Sequence, residues 1–368
     1  MARVTHLNTQ ARFFLAARVL AAALGLGLLA PAWAVTATIT GTSCDAAADP
    51  DFEAAFNTAL GTAGVDLIVF SCPFAGQTIT TTKLIGGLLT IDGDNPAGPG
   101  NMGITRLAAG LQPQRSFTVT AAGNLSLKDI AFGGGNASDA VFPGNSGGKI
   151  FNSGTVSLLR ATLATSPATG DGGLIFNEGT LNLTGSSLAG GSAVRGGGIF
   201  NTPTGAVTVS GSVMGANTST AGFSGAAVHN AGGSVSISKS SIDANTAPAT
   251  GGSLFNGLGL TTAGQMTITN STVNGATAPG VLTIGPNASV SIINSTLSPT
   301  LAGSSAATAD SGALLSLSNT ALVAPGSDCV ETNGASISAA GFNAAADASC
   351  ATAVGGSTNF IGVGGVAD

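Results

Sequence analysis

Gly-Gly-Lys-Ile-Phe-Asn (147 to 152), Gly-Gly-Leu-Ile-Phe-Asn (172 to 177), Gly-Gly-Gly-Ile-Phe-Asn (196 to 201), Gly-Ala-Ala-Val-His-Asn (225 to 230) and Gly-Gly-Ser-Leu-Phe-Asn (251 to 256) are five versions of one phrase. Their closing residues, Asn152, Asn177, Asn201, Asn230 and Asn256, stand 25, 24, 29 and 26 positions apart. A unit of that length cannot bury its own apolar side chains, so consecutive units must stack. Each Asn is followed by an alternating strand, as in Thr155 to Leu158, Thr180 to Leu183, Ala206 to Val209, Ser234 to Ile237 and Gln265 to Ile268. One or two small polar residues and a further apolar position come next, as in Ser186-Ser187-Leu188 and Ser240-Ser241-Ile242. One period therefore holds three short strands bent at glycine or asparagine.

Three such strands close a triangle, and triangles stack in parallel at about 4.8 Å per coil. From Val65 to about Val323 this predicts an all-β, single-stranded, right-handed parallel β-helix of about ten coils, near 50 Å tall. Equivalent residues then lie above one another. The five asparagines form a column that passes amide N–H to carbonyl from coil to coil at a corner of the backbone. Phe151, Phe176, Phe200 and Phe255 form a second column, with His229 in the fourth place. Ile150, Ile175, Ile199, Val228 and Leu254 form a third. Strand alternation sends the Phe and Ile columns to opposite faces unless the chain bends between them, so one of the two is either a buried aromatic stack or an exposed contact stripe.

Outward from the repeats, Val35 to Thr40 alternates as a short strand. Asp51 to Leu60 places Phe52, Ala55, Phe56, Ala59 and Leu60 at helical spacing, with acidic residues in the first turn and Gly61 as a stop. A helix before the first full strand is expected to cover the open end of the stack. The first 34 residues read as an export signal: Arg3, Arg12 and Arg18, an apolar run from Val19 to Ala30, and Ala32-Trp33-Ala34 as a cleavage site. The expected organisation is a signal peptide at 1–34, an N-terminal cap at 35–64, the β-helix at 65–325, and a disulfide-closed cap and tail at 326–368. No later stretch is long and apolar enough for a membrane-spanning helix.

The four cysteines fall as two local pairs, Cys44 with Cys72 and Cys329 with Cys350. In an exported chain they read as disulfides, and proximity is the simplest of the three possible pairings. Each would close one end of the array, worth on the order of 3 kcal/mol. Without the signal the chain has 8 basic and 17 acidic residues, so no nucleic acid is expected as a partner. Hydrophobic content of 43% with strict alternation excludes a disordered polar chain.

Gly-Gly-x-Ile-Phe-Asn followed by Gly-Thr-Leu-x-Leu resembles the right-handed parallel β-helix repeats of bacterial surface proteins, including polymorphic outer-membrane proteins and autotransporter passengers. The cap helix, Asp66-Leu67-Ile68-Val69-Phe70, Leu89-Thr90-Ile91-Asp92-Gly93, Ser318-Asn319-Thr320, Asp328-Cys329, Gly341-Phe342-Asn343 and Ser349-Cys350 are similar to choice-of-anchor Q domain proteins. That resemblance implies a pectin-lyase-like fold and a bacterial protein that is secreted or held at the outer cell surface. Members usually continue past the second cysteine pair into a Pro-rich segment and often a sorting signal. This sequence ends at Gly364-Gly365-Val366-Ala367-Asp368, so attachment is not carried over.

Many pectin-lyase-like proteins cleave acidic polysaccharides, which requires clustered carboxylates, or Ca²⁺ ligands beside a base. A site on one face would show charges recurring at coil spacing. Here Asp92, Asp94, Asp129, Asp139, Asp171, Glu178, Asp243, Asp310 and Asp328 are scattered. Asp92-Gly93-Asp94-Asn95 is the densest acidic turn and reads as solvated, and Lys128 with Asp129 as an exposed pair. His229, the sole histidine after the signal, has no acid near it in sequence and reads as packed. No tyrosine is present, and the one tryptophan lies in the signal, which removes the usual aromatic platforms for sugars. The expectation is an exported, non-enzymatic structural or adhesive module with no cofactor or metal. Its candidate partners are extracellular polysaccharides or molecules of a host or cell surface. A polysaccharide lyase or glycoside hydrolase is the alternative. The coil lengthened to 29 residues, where His229 interrupts the Phe column, is the irregularity the repeat does not explain.

Overall fold

A computed structural model describes residues 35–40, 50–73, 76–96, 101–106, 115–137, 144–248, 250–257, 263–274, 280–350 and 360–362. The expected signal segment, Cys44, Asp139 and the last six residues lie outside them. From Thr36 onward the described residues belong to one compact unit.

That unit is a parallel β-helix with three faces, built from sheets of 12, 10 and 13 strands. One coil runs Thr155–Leu159 in the first sheet, Thr162–Pro167 in the second and Ile175–Asn177 in the third, and Thr180–Thr184 begins the next. The ten-stranded third sheet sets the number of complete coils at about ten. Pairing is in register wherever the sequence repeats: Ile150, Ile175, Ile199, Val228 and Leu254 follow one another, as do Phe151, Phe176, Phe200, His229 and Phe255. In the first sheet every second residue is buried, so Val156, Leu181, Val207, Val235 and Met266 form one inward column and Leu158, Leu183, Val209, Ile237 and Ile268 another. These columns, with the Ile column of the third sheet, make one continuous core.

The chain turns from the first sheet to the second through one left-handed residue per coil. Asp129, Arg160, Gly185, Gly211, Lys239, Asn270, Asn294, Asn319 and Gly341 occupy that place with φ between 49° and 67°. Glycine and asparagine take this conformation readily, and a lysine does not. Lys239→Gly is therefore expected to raise stability by about 0.5–1 kcal/mol, the relief of left-handed strain exceeding glycine's entropic cost; a lowered urea midpoint would contradict this.

Helix α1 (Pro50–Gly61) lies over the first coils, where sequence spacing places it. Phe52 and Phe56 are fully buried, and their rings stand 6.0 and 6.4 Å from that of Phe70. Strand Val35–Thr40 is the terminal strand of the first sheet, next to Val65–Ser71. At the other end Cys329 and Cys350 are joined, with Cα atoms 4.9 Å apart. Cys72 is disulfide-bonded, and its expected partner Cys44 lies outside the described residues.

The Ile column is buried and so is the Phe column apart from the half-buried Phe176, which strand alternation alone does not give. The Ile column faces the core; Phe151, Phe200 and Phe255 are 6, 5 and 3% exposed yet stand outside the core cluster. The incoming loop folds back over them. A side-chain carbon on Gly147, Gly172 or Gly196 would stand 2.3–2.4 Å from the carbonyl oxygen of Ile150, Ile175 or Ile199, and all three glycines have φ near 65°. The opening glycine of the phrase thus lets the chain lie flat on its own strand. The guanidinium carbons of Arg115 and Arg195 stand 5.1 and 4.8 Å from the ring centroids of Phe151 and Phe200, completing the cover.

Candidate functional site

The asparagines are wholly buried and form one hydrogen-bonded ladder. Each Nδ2 donates to the Oδ1 of the next, at 2.7 Å from Asn152 to Asn177, 2.7 Å to Asn201, 2.8 Å to Asn230 and 2.7 Å to Asn256. The second protons reach corner carbonyls such as Gly179, Gly205, Gly233 and Gly264. All this polarity is internal to the stack. A serine ladder at the next corner was not singled out from the sequence: the N–H of Ser186, Ser212, Ser240 and Ser271 each donates to the Oγ of the serine one coil on, at 3.0–3.1 Å.

His229 is a ring in the aromatic stack, 5.1 Å from Phe200 and 4.8 Å from Phe255, nearly parallel to both. Burial, assisted by the charge of Arg195, lowers its pKa to about 3, so it is neutral. Its Nδ1 accepts from the Gly225 N–H at 3.4 Å, and no described residue bonds Nε2. The ring has no solvent access. Lys149 is likewise buried, its amine lowered to about 7 by burial and donating to the Gly134 carbonyl.

Coil register brings the suspected carboxylates together, but with cations between them. Lys128 Nζ lies 2.6 Å from Asp92 and 3.5 Å from Asp129. Arg160, which the sequence did not mark, grips Asp129 through two bonds of 2.6 Å. Arg160 first and Lys128 after it hold Asp129 below its ordinary pKa, and Asp92 raises that of Lys128. Asp171 is gripped by Arg195 in the same manner, at 2.9 and 2.6 Å. In the acidic turn, Asn95 is buried and paired to the backbone of Cys72, so it is not available as a cation ligand. Among the described residues no three His, Cys, Asp or Glu side chains converge.

A concave feature of the surface begins where the Phe column stops. Phe255 is followed in register by Thr283, Thr308 and Val330. Two residues on, the same face carries Gly257, Gly285, Asp310 and Thr332. Small side chains thus replace the buried rings over three coils, leaving a groove of about 580 Å³. Phe223 and Thr250 border it at one end, and Gly280, Gly303 and Ser305 line it further along. Asp310 Oδ1 accepts from Thr332 Oγ1 (2.7 Å), Asn333 Nδ2 (2.7 Å) and Ser311 Oγ (3.0 Å), bonds that hold its carboxyl below the usual range. Phe223 is 60% exposed, has φ of 51°, and donates its N–H to Thr250 Oγ1 at 3.0 Å. It belongs to the extra residues of the 29-residue coil, which is the sequence signal that pointed here.

Neither protein-family models nor curated proteins match the chain. Among solved structures it is similar to the Dettilon tailspike protein (gp208), with a TM-score of 0.30 and 11% identity over 84% of this chain and 67% of that one. A likeness of that size transfers nothing to this chain, whose fold rests on its own strand pairing.

Proposed function

We propose that this protein is an exported β-helix that works outside the cell as a structural and adhesive module, holding a rigid face to a partner without altering it. The observation that supports this reading most is the pairing of acids with bases. Glycoside hydrolysis by two carboxyl groups needs one protonated and one ionised, neither tied to a cation, roughly 5–9.5 Å apart. In this chain Asp92, Asp129 and Asp171 are each closed by Lys128, Arg160 or Arg195. The aromatic, asparagine and serine columns are consumed by stacking, so the stack supplies rigidity and its outer face supplies contact. The disulfide between Cys329 and Cys350 suits an oxidising compartment, and the choice-of-anchor Q resemblance points to the same place.

Chain recovered from the producing cells should begin at Val35, lie in the medium or on the cell exterior, and be retained on surfaces coated with extracellular polymer. Recovery inside the cell with Met1 intact, or no retention on any coat, would overturn the reading.

A further inference from the structure

We propose that the groove at the end of the Phe column is a binding site for a short neutral oligosaccharide, with Phe223 as its stacking platform. This rests on the adhesive reading and names the chemistry of its partner.

Four features of the groove select that ligand. Its volume of about 580 Å³ is that of a small-molecule site. Its floor is the face of a sheet whose backbone N–H and C=O groups are paired along the stack, so a bound peptide would find no edge to extend. The polar side chains lining it are hydroxyls, from Thr250, Thr283, Ser305, Thr308 and Thr332, and the carboxylate of Asp310. Hydroxyls that both donate and accept, beside one acceptor-only carboxylate, match the hydroxyl rim of a sugar. The Asp310 carboxylate, held by Thr332, Asn333 and Ser311, is the acceptor-only group among the residues lining the groove.

The second, independent observation is Phe223. It is the exposed ring at the mouth, in a mature chain without tyrosine or tryptophan, and it is held in a left-handed conformation that a bulky side chain rarely adopts. Its ring is left 60% exposed rather than packed, and an aromatic face is what the apolar face of a pyranose covers. Charge decides between sugar classes. Among the described residues lining the groove Asp310 alone is charged, and its carboxyl is ionised at neutral pH, so uronic-acid and sulfated polymers are repelled while neutral ones are not.

The test is titration of the full mature chain with maltotriose, cellotriose, mannotriose and chitotriose, and with trigalacturonate as the anionic probe. At least one neutral trisaccharide is expected to bind, trigalacturonate more weakly than that ligand. Phe223→Ala should weaken binding at least tenfold, and Asp310→Asn and Thr308→Val should weaken it also, with melting curves that overlay the parent. Phe223→Gly, which removes the ring and relieves the backbone, should lose binding while melting no lower. No binding by any neutral trisaccharide, preference for trigalacturonate, or binding unchanged in Phe223→Ala each overturns the inference. A protein that fails these tests yet still adheres to coated surfaces would leave the adhesive reading standing, so the two failures are distinct.

Discussion

Asn201→Ala is expected to lower the stability of the stack by about 3–4 kcal/mol, the largest effect of any single truncation away from the cap. Asn201 sits in mid-ladder. Its Oδ1 accepts from Asn177, and its Nδ2 donates to Asn230 Oδ1 and to the Gly205 carbonyl, all at 2.7–3.0 Å in a site with no solvent access. Removing the amide forfeits these bonds and leaves the Asn230 Oδ1 buried without its donor, an unmade bond that costs about 1–3 kcal/mol, while the Gly205 carbonyl keeps only the Ser234 N–H at 3.1 Å. Asn201→Asp should be worse at neutral pH, because a buried carboxylate would face the Asn230 oxygen. Burial raises the pKa of such an acid, so that variant should regain stability as pH falls. Urea unfolding followed by circular dichroism measures all three chains; an Asn201→Ala midpoint equal to the parent would show that the ladder is not a source of stability.

Lys83→Met should detach the N-terminal cap, with a loss of roughly 3–5 kcal/mol as expected when one partner of a buried ion pair is removed. Lys83 is 2% exposed, and its Nζ donates to Glu53 Oε1 at 2.7 Å, Asn57 Oδ1 at 2.6 Å and Thr81 Oγ1 at 2.7 Å. Glu53 also accepts from Thr80 and Thr81, so one carboxylate on α1 fastens the helix to the start of a coil. Burial alone would raise the pKa of Glu53, but the bonds from Lys83, Thr80 and Thr81 outweigh it and bring the value from 4.5 to about 2. A carboxylate depressed in the folded state contributes stability fully above its unfolded pKa and loses it as pH falls through the folded one. The cap should therefore be held firmly above about pH 4.5 and loosen towards pH 2. Limited proteolysis near α1 reports this: cleavage should be slow at pH 7 in the parent and fast in Lys83→Met. Equal rates would contradict the role assigned to the pair.

What the sequence disclosed, and what it did not, follows from how each feature is encoded. The Asn column, the Ile column, the α1 spacing and the coil length were legible because a period makes residues equivalent, and equivalence in a parallel stack is contact. The direction of the Phe column was not legible. It depends on Gly147, Gly172 and Gly196 lying against the strand they precede, a tertiary contact between residues close in sequence. Arg160 and Arg195 were missed because their acids lie one coil away, at 31 and 24 residues, intervals that mean nothing until register is known. The serine ladder was visible as a recurrent small polar residue but not as donor and acceptor. The groove was hardest, being written as a loss: threonine where phenylalanine had stood, across coils whose lengths vary. His229 drew the eye to the 29-residue coil, yet it is only another ring in the stack, and the informative residue of that coil is Phe223.

The most direct test of the central claim, attachment through the groove without chemical change, is saturation-transfer NMR on the best-bound neutral trisaccharide, repeated after prolonged incubation with the protein. The account predicts transfer to the ring protons of the sugar, loss of that transfer in Phe223→Ala, and a sugar spectrum identical before and after incubation. New reducing-end or unsaturated-sugar resonances, or no transfer from the parent protein, would contradict it.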